Sequence, residues 1–214
     1  MDIVDPRVDR YLRDLLAGDH PIADEMEALA EARDFPIVDR PVGVTLEMLA
    51  RAVGARRVLE LGSGYGYSAY WFARAVGEGG EVHMTEGDAG NQEQAREFLD
   101  RAGLGDRVHE HVGDALEIID ELEGGFDVIF NDIDKLDYPR AWEKARERVR
   151  PGGLYLCDNV LWSGRVADDL EEEDPRPDWT EAVRAHNRAI ATDEGFATTI
   201  IPTRDGVLAA LRIG

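Results

Sequence analysis

Two short apolar runs end in acid. Val128-Ile-Phe130 leads through Asn131 to Asp132-Ile-Asp134-Lys135, and Leu154-Tyr-Leu-Cys157 leads to Asp158-Asn159. Runs of this length, bounded by turn residues, read as buried strands. In an open parallel sheet, ligands sit beyond the carboxyl ends of the strands. Two such ends bring Asp132, Asp158 and Asn159 together as three oxygen ligands with Lys135 beside them. That set points to a divalent cation orienting a hydroxyl.

The remaining periodicity supplies the frame. Apolar positions at helical spacing over 6–17 and 21–33 predict two amphipathic helices, separated at Gly18-Asp-His-Pro21. A third helix is expected over 45–53, ended by Gly54. Strands are then expected at 57–61, 81–85, 107–112, 126–130 and 154–158, alternating with helices at 67–76, 91–101, 115–122 and 139–148. Pro151-Gly-Gly153 reads as a stop and turn. A last helix over 178–191 precedes strands at 196–201 and 207–213, joined as a hairpin through Arg204-Asp-Gly206. Alternation of this kind predicts a Rossmann-like, doubly wound α/β fold: a mostly parallel seven-stranded sheet with an antiparallel last strand and N-terminal helices. The chain is read as one domain over 1–214, with 1–54 as a helical lid or cap. The final pair of strands is the only antiparallel feature expected.

Charge narrows the partners. Among 214 residues, 45 acids face 24 bases, for a formal net charge of -21. Nucleic acid and anionic membrane surfaces are disfavoured as partners. Such a surface stays dispersed in concentrated salt, where repulsion is screened within a few ångströms, and this points to a salt-loving source. One cysteine, Cys157, excludes an internal disulfide and is expected in the core. A run long enough to span a membrane and a signal-peptide pattern are both missing, so a cytoplasmic location is expected. The acidic stretch 168–178 reads as a surface loop near the active-site edge.

Between the first strand and its helix lies Glu60-Leu-Gly62-Ser-Gly64-Tyr-Gly66. Glycines here let the backbone approach a ligand closely. Tyr67 stands where a nicotinamide fingerprint needs its last glycine. Glu60 would repel a pyrophosphate but suits a cationic amino-acid end such as that of S-adenosylmethionine. Glu86 ends the second strand, where a carboxylate accepts hydrogen bonds from ribose hydroxyls. Asp114 follows the third strand and is placed for an adenine amino group, for helix capping, or for both.

In these segments the chain resembles the cation-dependent class I O-methyltransferases, the catechol and caffeoyl-coenzyme A group, from about His20 onward. The resemblance is carried by Glu60-Leu-Gly-Ser-Gly-Tyr-Gly-Tyr-Ser68, by Asp132-Ile-Asp-Lys135 with Tyr138, by Asp158-Asn-Val-Leu-Trp-Ser-Gly164 and by the Asp205-Gly206 turn. It implies that Glu60, Gly62, Ser63, Ser68, Glu86 and Ala115 contact S-adenosyl-L-methionine, with Val38 contributing from upstream and Asp134 reaching its amino end. It implies Asp132, Asp158 and Asn159 as metal ligands, Lys135 at the acceptor hydroxyl, Ser163 as a substrate contact, and a homodimer. Asn131 departs from the family, which usually has an apolar residue there.

Oxygen-only ligands favour Mg²⁺, with Mn²⁺ or Ca²⁺ as alternatives. Two adjacent hydroxyls of a small catechol-like acceptor would complete the coordination, and Lys135 would take the proton, which an arginine cannot do. Lys135 is one of only two lysines in the chain. Trp162 either walls the acceptor pocket or packs, and Tyr65 and Tyr67 flank the glycine loop. His109 and His111 share one strand face but have no third partner for zinc nearby in the sequence. Three rival readings are a nicotinamide-dependent oxidoreductase of similar fold, a methyltransferase with a non-catechol acceptor, and a binding module without turnover.

Overall fold

A computed structural model describes residues 3–167 and 174–214. Three helices lead the chain: α1 (Pro6–Leu15), α2 (Pro21–Arg33) and α3 (Arg40–Ala52). The alternating part follows as β1 (Arg57–Leu61), α4 (Tyr67–Val76), β2 (Glu81–Glu86), α5 (Ala89–Arg101), β3 (Val108–Val112), α6 (Ala115–Glu121), β4 (Phe126–Asn131), α7 (Tyr138–Ala145) and β5 (Val149–Cys157). It closes with α8 (Pro177–Ala191), β6 (Phe196–Ile201) and β7 (Val207–Arg212). Of the acidic stretch 168–178, residues 168–173 lie outside the described residues.

The strands form one seven-stranded sheet in the order β3-β2-β1-β4-β5-β7-β6. Strands β1 to β5 pair in parallel. Strand β7 inserts between β5 and β6 and runs antiparallel to both. Antiparallel pairing therefore extends one strand beyond the expected terminal hairpin.

The sheet is covered on both faces, which explains why its inner strands read as almost continuous apolar runs. Side chains alternate between the faces. Val58, Val128, Phe130, Leu154 and Leu156 meet Val42, Leu46, Trp71 and Phe72 from α3 and α4. Leu59, Leu61, Ile129, Tyr155 and Cys157 meet Leu116, Trp142, Val183 and Ile190 from α6, α7 and α8. Cys157 is fully buried, as expected for a core residue. Asn131 is also fully buried; its Nδ2 donates to Cys157 Sγ across the strand pair at 3.3 Å, while its Oδ1 has no partner among the described residues.

Two elements differ from expectation in instructive ways. Helix α3 starts five residues earlier, because the Asp39 side chain accepts from Val42 N at 3.0 Å and caps it, with Pro41 in the first turn. Its first residue, Arg40, is buried and reaches Glu27 (2.9 Å) and Asp24 (2.5 Å) on α2. Strand β5 contains Pro151-Gly152-Gly153 where a turn was expected. Phe126 pairs with Val149 and Val128 with Leu154, so the extra residues form a bulge inside the strand.

Candidate active site

The chain steps from β1 outward to β2 and β3, then returns to β4 on the other side of β1. That reversal opens a crevice at the carboxyl ends of β1 and β4. Two loops meet in it. Asp132 N donates to Leu61 O at 2.9 Å, which fixes the end of β4 against the end of β1. Gly62 follows at φ +84°, and a Cβ there would lie 2.7 Å from the Asp132 carbonyl oxygen. Glycine is thus required both by the backbone conformation and by the approach of the two loops. Ser63 N donates to Thr85 O at 2.9 Å, and Gly64 N donates to Glu86 Oε2 at 2.9 Å. The loop is held by the end of β2 before α4 begins.

The second strand end is equally constrained. Asp158 N donates to Asn131 O at 3.2 Å, and the Tyr138 hydroxyl donates to Asp158 O at 2.9 Å. Asp158 is 1% exposed. Its Oδ2 accepts from Asn159 Nδ2 at 3.1 Å, and its Oδ1 is buried with no partner among the described residues. Lys135 Nζ lies 3.4 Å from both Asp132 Oδ1 and Ile133 O, and 5.1 Å from the centre of the Tyr138 ring. Burial pushes the carboxyls of Asp132 and Asp158 upward, and for Asp158 the neighbouring charge of Asp132 adds to this. Lys135 and Arg204 oppose both shifts.

These groups line one cavity of about 510 Å³. It brings together Val38, Gly62, Ser63, Ser68, Glu86, Asp132, Asp134, Lys135, Asp158, Asn159 and Trp162 from the sequence-derived set. A family model described as O-methyltransferase matches residues 17–213. The chain belongs to the class I, S-adenosylmethionine-dependent O-methyltransferase family. Catechol O-methyltransferase of Mycobacterium tuberculosis is 37% identical over 172 residues, covering 79% of this chain and 78% of that protein. Catechol O-methyltransferase of Niastella koreensis is 34% identical over 200 residues, covering 91% and 89%. The crystal structure of the O-methyltransferase TomG from Streptomyces achromogenes, in complex with SAM, superposes with a TM-score of 0.86 at 32% identity, covering 97% and 96% of the two chains. Membership of this O-methyltransferase family sets aside the nicotinamide oxidoreductase.

Four sequence-derived residues of the methyltransferase stand outside the cavity wall. Glu60 lies fully buried in β1 just before the glycine loop; the Ser68 and Ser63 hydroxyls approach its carboxylate, but neither oxygen makes a hydrogen bond of full geometry with any described residue. Burial pushes its carboxyl up to about 8 against the opposing pull of the Ser68 and Ser63 hydroxyls. Asp114 accepts from Leu116 N (2.7 Å) and Glu117 N (3.2 Å) and so caps α6, whose first residue is Ala115. Ser163 borders a shallower neighbouring cavity shared with Asn159, Arg204 and Asp205. Of the loop tyrosines, Tyr67 lines the main cavity, whereas the buried Tyr65 donates to Met26 O at 2.9 Å and ties the loop to α2.

The structure adds residues that sequence reasoning did not assign to the site. Phe35, Pro36, Arg176, Trp179 and Arg204 line the cavity, and Tyr138 anchors Asp158. Only Tyr138 carried a signal, through the motif it shares with Lys135. His109 and His111 do acquire a third imidazole, His83, whose Nδ1 lies 3.0 Å from His111 Nε2. The other His83 nitrogen, Nε2, lies 3.5 Å from Glu81, as does His109 Nε2 at 3.6 Å. Among the described residues, however, no group of three His, Cys, Asp or Glu side chains is arranged to hold a metal ion.

The donor chemistry nonetheless suits the cation and the cofactor that the resemblance implies. An unpartnered carboxylate oxygen on Asp158, beside Asp132 and the Asn159 amide, is a hard oxygen set open to a cation. The unpartnered Glu60 carboxylate beneath a glycine loop lacking Cβ atoms suits a cationic amino-acid end above it. Among the described residues no helix is long and apolar enough to cross a membrane.

Proposed function

We propose that this methyltransferase methylates one hydroxyl of a small catechol-like acceptor with the help of a divalent cation, Mg²⁺ foremost, held by Asp132, Asp158 and Asn159. The observation that carries the reading is the buried, unpartnered Asp158 Oδ1 set among those oxygens with Lys135 Nζ 3.4 Å from Asp132 Oδ1. When bound, the cation would lower the pKa of the acceptor hydroxyl and fix its oxygen. Lys135 Nζ would take the proton as the free amine, having first released its own to solvent. The acceptor oxygen then bonds to the sulfonium methyl carbon as the carbon–sulfur bond breaks, leaving S-adenosylhomocysteine. The chain contributes mainly by holding both reactants in line.

On the donor side, Gly62, Ser63, Ser68 and Val38 would surround the methionine portion, with Glu60 and Asp134 toward its amino end. Glu86 would take the ribose hydroxyls, and Asp114 and Ala115 the adenine. Trp162 and Ser163 would contact the acceptor. Residues 1–54 would act as a cap on a single domain, and a homodimer is proposed from the family resemblance. The net charge of -21 supports work at high salt.

A methyl-transfer screen over vicinal diphenols in concentrated salt tests this, with Mg²⁺ and with a chelator. Product is expected only with the cation. Turnover unchanged in the chelator would overturn the metal role, and failure with every diphenol would overturn the acceptor class.

A further inference from the structure

The acceptor end of the cavity carries a cation that the methyl-transfer chemistry does not use. Arg176 precedes α8, and its guanidinium carbon sits 4.3 Å above the centre of the Trp179 ring. Trp179 in turn packs against Trp162, with ring centres 5.6 Å apart and planes tilted by 38°. All three residues line the cavity that holds the acid cluster and Lys135. The Trp162 indole Nε1 is buried with no acceptor among the described residues.

The neighbouring bases are already engaged. Arg165 stands over the Trp162 ring and lies 3.8 Å from Asp174. Arg204 donates from Nη1 to Ile37 O at 2.6 Å and acts on the charges of Asp132 and Asp158. Arg176 makes no ion pair with any described residue, although acids outnumber bases 45 to 24 in this chain. A guanidinium held over an indole keeps its forked donors available to a carboxylate, which they match as a planar pair. The indole N–H offers a second donor, and the two indoles offer apolar faces to a ring.

From this arrangement we infer that the acceptor is an aromatic diol bearing an anionic substituent, a carboxylate, whose charge is read by Arg176 while its ring packs on Trp162 and Trp179. The inference rests on the diol reading above and assigns Arg176 as a specificity-determining residue of that site. In an acidic protein the ambient potential disfavours anionic ligands. The Arg176 guanidinium, exposed on the cavity wall and without an ion pair among the described residues, offsets that field where the substituent lies.

The test separates the two readings by using ligands without hydroxyls. The full chain, with S-adenosylhomocysteine present and no added cation, is titrated with cinnamate and with the neutral cinnamamide, read by calorimetry and tryptophan fluorescence. The wild-type chain is expected to bind cinnamate about ten-fold more tightly than the amide, the size expected of one charge-assisted contact. Arg176→Gln is expected to erase that preference and Arg176→Lys to keep part of it. Equal affinities in the wild-type chain, or a preference that survives in Arg176→Gln, overturn the inference. Failure of methyl transfer to every diphenol would strike the diol reading alone, since neither titrant contains a reacting hydroxyl.

Discussion

The two ends of the parallel sheet treat charge in opposite ways. At the amino ends of β1, β4 and β5, the charges around Asp127 are matched. Asp127 accepts from Arg56 N (2.6 Å) and Arg57 N (2.7 Å) and pairs with Arg150. Arg57 bridges to Glu81 at 2.5 Å and to Glu123 O at 2.6 Å. Burial alone would raise the Asp127 carboxyl, but the hydrogen bonds from Arg150 and the two amides hold it below the usual range. At the carboxyl ends, Glu60 and Asp158 keep buried oxygens with no partner, and burial moves their carboxyls up instead. Unpaired buried carboxylates are costly in a resting fold. The same sheet therefore holds a satisfied end that stabilises and an unsatisfied end whose missing partners are ligands.

The sharpest way to break the contrast is Asp158→Ala. Cation-dependent methyl transfer is expected to fall by about 10³-fold or more, as a ligand to the reacting centre is lost. S-adenosylmethionine binding is expected to survive. The thermal midpoint should stay level or rise, because an unpaired buried acid is removed. A clear fall in thermal midpoint would show that Asp158 belongs with the stabilising charges. Lys135→Ala comes next, with turnover expected to drop about 10²-fold or more. Raising the pH should restore part of it, because the hydroxyl then ionises without the amine. A normal rate at neutral pH would remove Lys135 from the proton path.

The opposite end should respond in the opposite sense. Asp127→Ala leaves the Arg150 guanidinium and two backbone amides without their acceptor. The loss of stability is expected to be about 3 kcal/mol, equivalent to a fall of about 6–12 °C in thermal midpoint for a chain of this size. The rate constant per folded molecule should change little. Calorimetry together with an assay below the transition checks both parts. Lost activity with an unchanged midpoint would erase the distinction between the two ends.

What could be read from the sequence follows the same physical division. The inner strands were legible because a sheet covered on both faces leaves continuous apolar runs, and Asp132 and Asp158 were legible because they terminate such runs. The start of α3 was hidden because Asp39 and Arg40 look like surface residues, whereas their burial depends on partners 13 to 16 positions away on α2 and across α1. The β5 bulge was hidden because proline and glycine signal a turn and a bulge alike. Phe35 and Arg176 escaped notice because they enter the cavity from segments with no periodic signal, and Trp179 and Arg204, though in the expected last helix and hairpin, are brought to the cavity only by tertiary packing. The third imidazole beside His109 and His111 was likewise set by strand register, with His83 paired to His109 across β2 and β3.

Glu60 gives the finest probe of the unsatisfied end. In the free protein its carboxyl lies near 8, whereas an unfolded chain holds it near 4.5. Between those values the folded protein keeps a proton that the unfolded chain has released. Its contribution to stability therefore declines as pH rises through this window and is constant above it. A cationic amino-acid end seated over Glu60 favours the ionised form, so cofactor binding should expel the proton below pH 8. Affinity for S-adenosylmethionine should then rise with pH between 6 and 8, by at most about ten-fold per unit. Titration calorimetry at pH 7 in two buffers of different ionisation enthalpy measures the released proton directly. Glu60→Gln should flatten the profile while keeping the side chain's shape. If the wild-type chain released no proton, Glu60 would be a buried neutral acid with no share in the cofactor's charge, and its unpartnered oxygens would have to be explained by the fold alone.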